Sequence, residues 1–113
     1  MKTLFLAFTL ITSLLNFNEK TDTIKIGGNC GMCKARIEKA LKIDGIKKAN
    51  WEVKTKMLTV TYDSQVISLD QIQQAVANAG HDTEKIKAVD SVYTKLPGCC
   101  KYEREKLTIL NNN

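Results

Sequence analysis

Four cysteines and a single histidine are the residues of this chain with the widest chemical reach. Cys30 and Cys33 stand three apart in "GNCGMCKARIEKAL" (28–41), just before a stretch whose apolar residues recur at helical spacing. That spacing puts Cys30 in a loop and Cys33 in the first helical turn, so both sulfurs converge on one exposed point. The positive end of the helix dipole and the neighbouring Lys34 are expected to lower a thiol pKa there. Two thiolates satisfy a soft ion such as copper(I) or mercury(II) in a near-linear arrangement, whereas a structural zinc site normally takes four protein ligands. The same pair also has the form of a thiol–disulfide centre. A purely structural Cys30–Cys33 bridge closes too small a loop to constrain the unfolded chain much.

The elements that must position this pair follow from periodicity. "TDTIKIGG" alternates Ile24 and Ile26 and ends in glycines, a strand running into the cysteine loop. Ile37, Ala40 and Leu41 mark a helix that Asp44-Gly45 ends. "IKKANWEV" and "KMLTVTYD" are two half-buried strands, the second with Leu58, Val60 and Tyr62 inward against Thr59 and Thr61 outward, joined by Lys54, Thr55 and Lys56. Trp51 and Met57 are expected to pack. Ser68 caps a second helix with Gln71 completing the capping box, Leu69, Ile72, Val76 and Ala79 form its apolar side, and Gly80 stops it. "HDTEKIKA" is a weak fourth strand. The order β-α-β-β-α-β predicts an α+β, ferredoxin-like βαββαβ sandwich over residues 22–88.

The stretch from Thr23 to Lys87 resembles the heavy-metal-associated domain of copper chaperones, copper-transporting ATPases and periplasmic mercury-binding proteins. The resemblance rests on the Cys-x-x-Cys followed by "KARIEKAL", then "DGI", "LTVTYD" and "AVANAGHD". It implies that Cys30 and Cys33 are the principal metal ligands and that the protein is not an enzyme. It implies a cargo of copper(I), with mercury(II), zinc or cadmium as alternatives. The partner it implies is a metal-transporting ATPase or another cysteine-rich metal-binding protein. Family members usually carry Gly-Met-Thr or Gly-Met-Asp before the first cysteine, where this chain has Gly27-Gly28-Asn29, so the loop is expected to pack differently. His81 follows the stop glycine of the second helix, where related domains place tyrosine, phenylalanine or lysine near the metal. It is a candidate third ligand, or a hydrogen-bonding neighbour of the site. Met32, between the cysteines, is expected to face solvent or pack locally rather than ligate.

Residues 89–113 lie outside that resemblance and hold Cys99 and Cys100. Adjacent cysteines have Cα atoms about 3.8 Å apart, too close for a relaxed bridge with each other. Val89, Val92, Tyr93 and Leu96 recur at helical spacing, predicting a short helix that Pro97-Gly98 breaks. If the fourth strand runs away from the metal loop, the tail must return about 20 Å, which a short helix and a few extended residues just cover. Cys99 or Cys100 then reaches Cys30 and Cys33, forms a separate site, or lies on a mobile tail.

At 113 residues, 43% of them hydrophobic, the chain suffices for one domain. Residues 1–18 carry Lys2 and then an apolar run from Leu4 to Leu15, the order of a secretory signal, too short to span a bilayer comfortably. This predicts export, periplasmic in a bacterium, with membrane attachment only if the segment stays uncleaved. Removing it leaves 16 basic against 12 acidic side chains. The adjacent Lys47 and Lys48 have only Trp51 nearby, which excludes a nucleic-acid platform. A thiol–disulfide oxidoreductase is disfavoured because Pro97 does not precede a strand and no tryptophan precedes Cys30.

Overall fold

The structure, a computed structural model, describes residues 18–104. The Leu4–Leu15 segment expected to direct export lies outside the described residues. Among those described, no helix is long and apolar enough to cross a membrane.

Three strands, β1 (Glu19–Lys25), β2 (Ile46–Trp51) and β3 (Met57–Asp63), form an antiparallel sheet in the order β1-β3-β2. Two ten-residue helices, α1 (Gly31–Ala40) and α2 (Leu69–Asn78), connect them as expected. β3 sits in the centre, and its alternation turns Leu58, Val60 and Tyr62 into the core. There they meet Ile37 from α1, Leu41 that caps it, and Ile72 and Val76 from α2 in one buried cluster. Ser68 accepts from the Gln71 amide at 3.1 Å while Gln71 Oε1 accepts from the Ser68 amide at 2.9 Å, the reciprocal box its sequence predicts. Gly80 follows the cap of α2 with φ of +105°. Helix α1 ends earlier than its expected Asp44-Gly45 stop, at Ala40 with Leu41 as its cap, and Gly45 (φ +95°) instead makes the turn into β2. A side chain is strained at both glycines. The α+β ferredoxin-like arrangement is therefore present.

The fourth strand differs. "HDTEKIKA" makes only one isolated bridge, Thr83 to Ile26, instead of a ladder. Side chains capture the backbone groups that a ladder needs. Thr83 Oγ1 accepts from the amides of Ile86 and Lys85, and buried Gln73 on α2 accepts from Lys85 N–H and the Thr83 hydroxyl. Asp82 takes the Ala88 amide at 2.7 Å. The segment closes into a turn, as side-chain-to-backbone bonding by Thr and Asp favours. The next helix is also shorter than its apolar spacing implies: α3 spans only Asp90–Tyr93, and Val89, expected on its packed face, is exposed ahead of it. Leu96 is buried and a 3₁₀ turn follows at Gly98–Cys100.

Because no strand carries the chain away, the tail folds back as a strap. Tyr102 is buried, its hydroxyl donating to Gly80 O at 2.9 Å and accepting from Asp82 N–H at 2.8 Å. Arg104 grips both Asp82 oxygens at 2.7 and 2.8 Å, reaches Ala88 O, and lies over the Tyr93 ring. Burial pushes the Asp82 carboxyl up, but the guanidinium and the Ala88 amide outweigh it and hold the group below its ordinary 3.8. A carboxylate with a lowered folded pKa stabilises fully above its unfolded value and loses that contribution as pH falls through the folded one. Urea unfolding from neutral pH down to about pH 2 should show this as a falling midpoint. Asp82→Asn should lower the midpoint at neutral pH and flatten the acid limb.

Candidate metal centre

The cysteine loop leaves β1 through two residues whose backbone is fully engaged. Ile26 N–H donates to Lys56 O at 2.9 Å and Gly27 N–H to Asp82 O at 2.8 Å. The Trp51 indole donates to Ile26 O at 3.1 Å, and His81 Nδ1 lies 2.8 Å from Gly27 O. A carbonyl only accepts, so Nδ1 carries the proton. His81 is wholly buried and stacks on Tyr102, its ring centre 5.5 Å away. Burial pushes its pKa down, with the Gly27 carbonyl opposing, and the ring is a neutral imidazole holding the loop. Its nitrogens are not among the clustered sulfur ligands described below.

Gly28 explains how the loop packs. A Cβ there would stand 2.9 Å from Trp51 Cη2 and 3.1 Å from Cys33 Cβ. The indole, fully buried, occupies that space. Gly27 in turn faces the Tyr102 ring, 2.6 Å from where its Cβ would be, so the strap seats against bare backbone.

Cys30 is the N-cap of α1 in extended conformation, and its carbonyl accepts from the amides of Cys33 and Lys34 at 2.9 and 3.0 Å. The backbone amides of Cys33 and Met32 lower its thiol pKa against the opposing effect of burial, with the Cys99 and Cys33 side chains assisting. Lys34, expected to share in this, is committed elsewhere: its ammonium pairs with Glu38, with Asn50 Oδ1 at 2.8 Å and with Trp51 O at 3.1 Å. The thiol is acidified by helix-terminal amides and not by that lysine. Cys33 is buried beneath, its sulfur accepting the Asn29 amide at 3.2 Å.

The tail brings the second cysteine pair to the same loop. The sulfurs of Cys30, Cys99 and Cys100 all lie within 4.8 Å of one another. Asn29 Nδ2 and the Cys30 thiol each approach Cys99 O at 3.5 Å, and Cys99 Sγ lies 3.5 Å from the sulfur of exposed Met32. Cys100 is buried, which pushes its thiol up to about 12, and contact with Cys33 and Cys99 adds to the shift. All four cysteines are free thiols. Sequence reasoning singled out neither Tyr102 nor Arg104. The only available signal was "KYER", whose aromatic and cation acquire meaning once Gly27 and Asp82 are known to face them.

A small α+β domain presenting a thiol pair at a helix N-terminus is the plan of a soft-metal-binding module. The model of the heavy-metal-associated domain matches residues 23–82, and the chain belongs to that family. It is 38% identical over 85 residues to the mercuric transport protein periplasmic component of Shewanella putrefaciens, covering 72% of this chain and 93% of that protein. It is 33% identical over 57 residues to the copper chaperone CopZ of Staphylococcus aureus, covering 50% of this chain and 84% of that one. The N-terminal domain of a potential copper-translocating P-type ATPase from Bacillus subtilis, solved in the Cu(I)-loaded state, superposes with a TM-score of 0.55 at 30% identity, over 57% of this chain and 84% of that one. The chain spans only 10% and 9% of two full-length metal-transporting ATPases that it also matches. Family membership places the protein among heavy-metal-binding domains.

The loop's fit against Trp51 is open to a direct test. Gly28→Ala should destabilise the fold by about 1–3 kcal/mol through overpacking, read as a lower denaturation midpoint. An unchanged midpoint would show that the indole yields freely.

Proposed function

We propose that the protein is an exported copper(I) carrier or buffer that passes its cargo by thiolate exchange at Cys30 and Cys33. One observation carries this reading: a half-buried Cys30 with a lowered thiol pKa stands over a fully buried Cys33. One sulfur is accessible to an incoming ligand while the other is held in place. A partner's thiolate attacks the bound ion from the Cys30 side, a three-coordinate intermediate forms, and the ion leaves without entering water. No bond of an organic substrate is made or broken, so the role is that of a carrier and not an enzyme. The soft donors suit copper(I), and the similarity to a copper chaperone and to a copper-loaded ATPase domain supports both that cargo and a metal-transporting ATPase as partner. Export is supported by the Leu4–Leu15 segment and by the periplasmic relative.

Mercury(II) is the second reading, favoured by the greater length of chain shared with the mercuric transport component. Both ions prefer sulfur, so affinity alone does not separate them. Anaerobic titration of the reduced protein should show one tightly held copper(I), and Cys30→Ser with Cys33→Ser together should weaken its binding by at least about tenfold. Wild-type affinity in that double variant would end the proposal. Deleting the gene should sensitise cells to copper, whereas sensitivity confined to mercury(II) would reassign the cargo.

A further inference from the structure

We infer that Cys99 and Cys100 belong to the metal centre, forming with Cys30 a three-thiolate site for one soft cation. The inference rests on the proposal that the Cys30–Cys33 loop binds metal, and it adds two ligands that lie outside the 23–82 match.

Spacing is the first argument. A trigonal site with metal–sulfur bonds of about 2.3 Å places its sulfurs about 4.0 Å apart. The three sulfurs already lie within 4.8 Å, so rotation about side-chain bonds closes the difference. The second argument is that the tail is built into position. Tyr102 seats against the bare backbone of Gly27, its hydroxyl joins Gly80 O to Asp82 N–H, and Arg104 forks onto Asp82. Tyr93 fastens the Tyr102 carbonyl from the other side. These contacts hold Cys100 wholly buried beside Cys33 and leave Cys99 exposed at the rim. The third is chemical: neighbouring cysteines are too close to form a relaxed bridge with each other, so this pair is available as free thiols.

Each thiol that binds gives its proton to water, and no electron changes hands. Cys33 lies behind the trio in contact with Cys100 and Cys30. The extended site thus keeps Cys30 of the proposed pair and puts the two tail sulfurs in the place of Cys33. An ion held this way has an exposed outer ligand, Cys99, which a partner's thiolate must displace before transfer.

The test loads full-length reduced protein with copper(I) and counts sulfur neighbours by X-ray absorption, alongside competition with a copper(I) chelator. The wild type should show three sulfurs. Cys99→Ser should show two and hold copper at least about tenfold less tightly, since loss of even an outer-shell partner typically costs tenfold or more. Cys99 is exposed, so its serine variant leaves the packing around Cys100 in place; Cys100→Ser is run beside it, with circular dichroism to confirm folding. Two sulfurs in the wild type, with unchanged affinity in both tail variants, would overturn the inference while leaving the proposed function standing. Three sulfurs persisting in Cys99→Ser would require Cys33 as a ligand beside Cys30 and Cys100 and would overturn the three-sulfur set as stated. Copper held at wild-type affinity by Cys30→Ser with Cys33→Ser would instead defeat the proposed function.

Discussion

The four polar backbone groups of Ile26 and Gly27 lie at the junction of strand and cysteine loop, and each is satisfied by a different residue, drawn from two parts of the chain. Lys56 and Trp51 come from the β2–β3 side of the sheet, while Asp82 and His81 come from the segment after α2. An unpaired buried backbone group costs about 1–3 kcal/mol, so these four bonds impose one geometry on the loop. Trp51 and His81 are both fully buried, and neither can turn away without orphaning a carbonyl. The position of Cys30, three residues on, is set by this frame. Cys33 is set by it too, through the Asn29 amide that its sulfur accepts.

The frame also explains why the tail docks where it does. His81 offers a flat face to Tyr102, and Gly27 offers no side chain, so the tyrosine enters a slot bounded by ring and backbone. Once there its hydroxyl satisfies Asp82 N–H and Gly80 O, the same Asp82 whose carbonyl holds Gly27. Loop and strap therefore share partners, and loosening either leaves buried polar groups of the other unpaired. Arg104 adds a forked, charge-assisted pair with side chains only 15% and 13% exposed, well shielded from the solvent that weakens surface ion pairs.

What could be read from the sequence was local. Helix α1, the alternation of β3, the Ser68–Gln71 box and the Gly80 stop of α2 depend on residues within a few positions of one another. The resemblance carried Cys30 and Cys33 for the same reason, as a short motif in a recognisable order of elements. The fourth strand was misread because its fate lay in Gln73, a polar residue on the buried face of α2 that takes the Lys85 amide out of any ladder. Periodicity treats such a residue as a defect in the apolar stripe, whereas here it is a ligand for backbone. Lys34 was misassigned similarly: its neighbours in sequence are the thiols, but its charge partner is Glu38 one turn along the helix. The return of Cys99 and Cys100 was feasible from chain length alone, yet its direction depended on Tyr102 and Arg104 finding Gly27 and Asp82.

The burial of the sulfurs sets an order for exchange at the site. Cys33 and Cys100 are wholly buried, Cys30 is half-buried, and Cys99 is exposed beside Met32, itself 51% exposed. Releasing an ion from a buried sulfur requires that sulfur to move within close-packed surroundings, and a core at crystal-like density resists such motion. Releasing it from Cys99 requires only rotation of a surface side chain. In the proposed site a partner's thiolate would therefore displace exposed Cys99 first and buried Cys100 last, the ion gaining one sulfur before it loses another at each step. The Met32 thioether, 3.5 Å from Cys99 Sγ, extends the soft surface outward on that exposed side. Exchange on that proposal would run from the rim inward, with Cys100 the last sulfur to leave the ion.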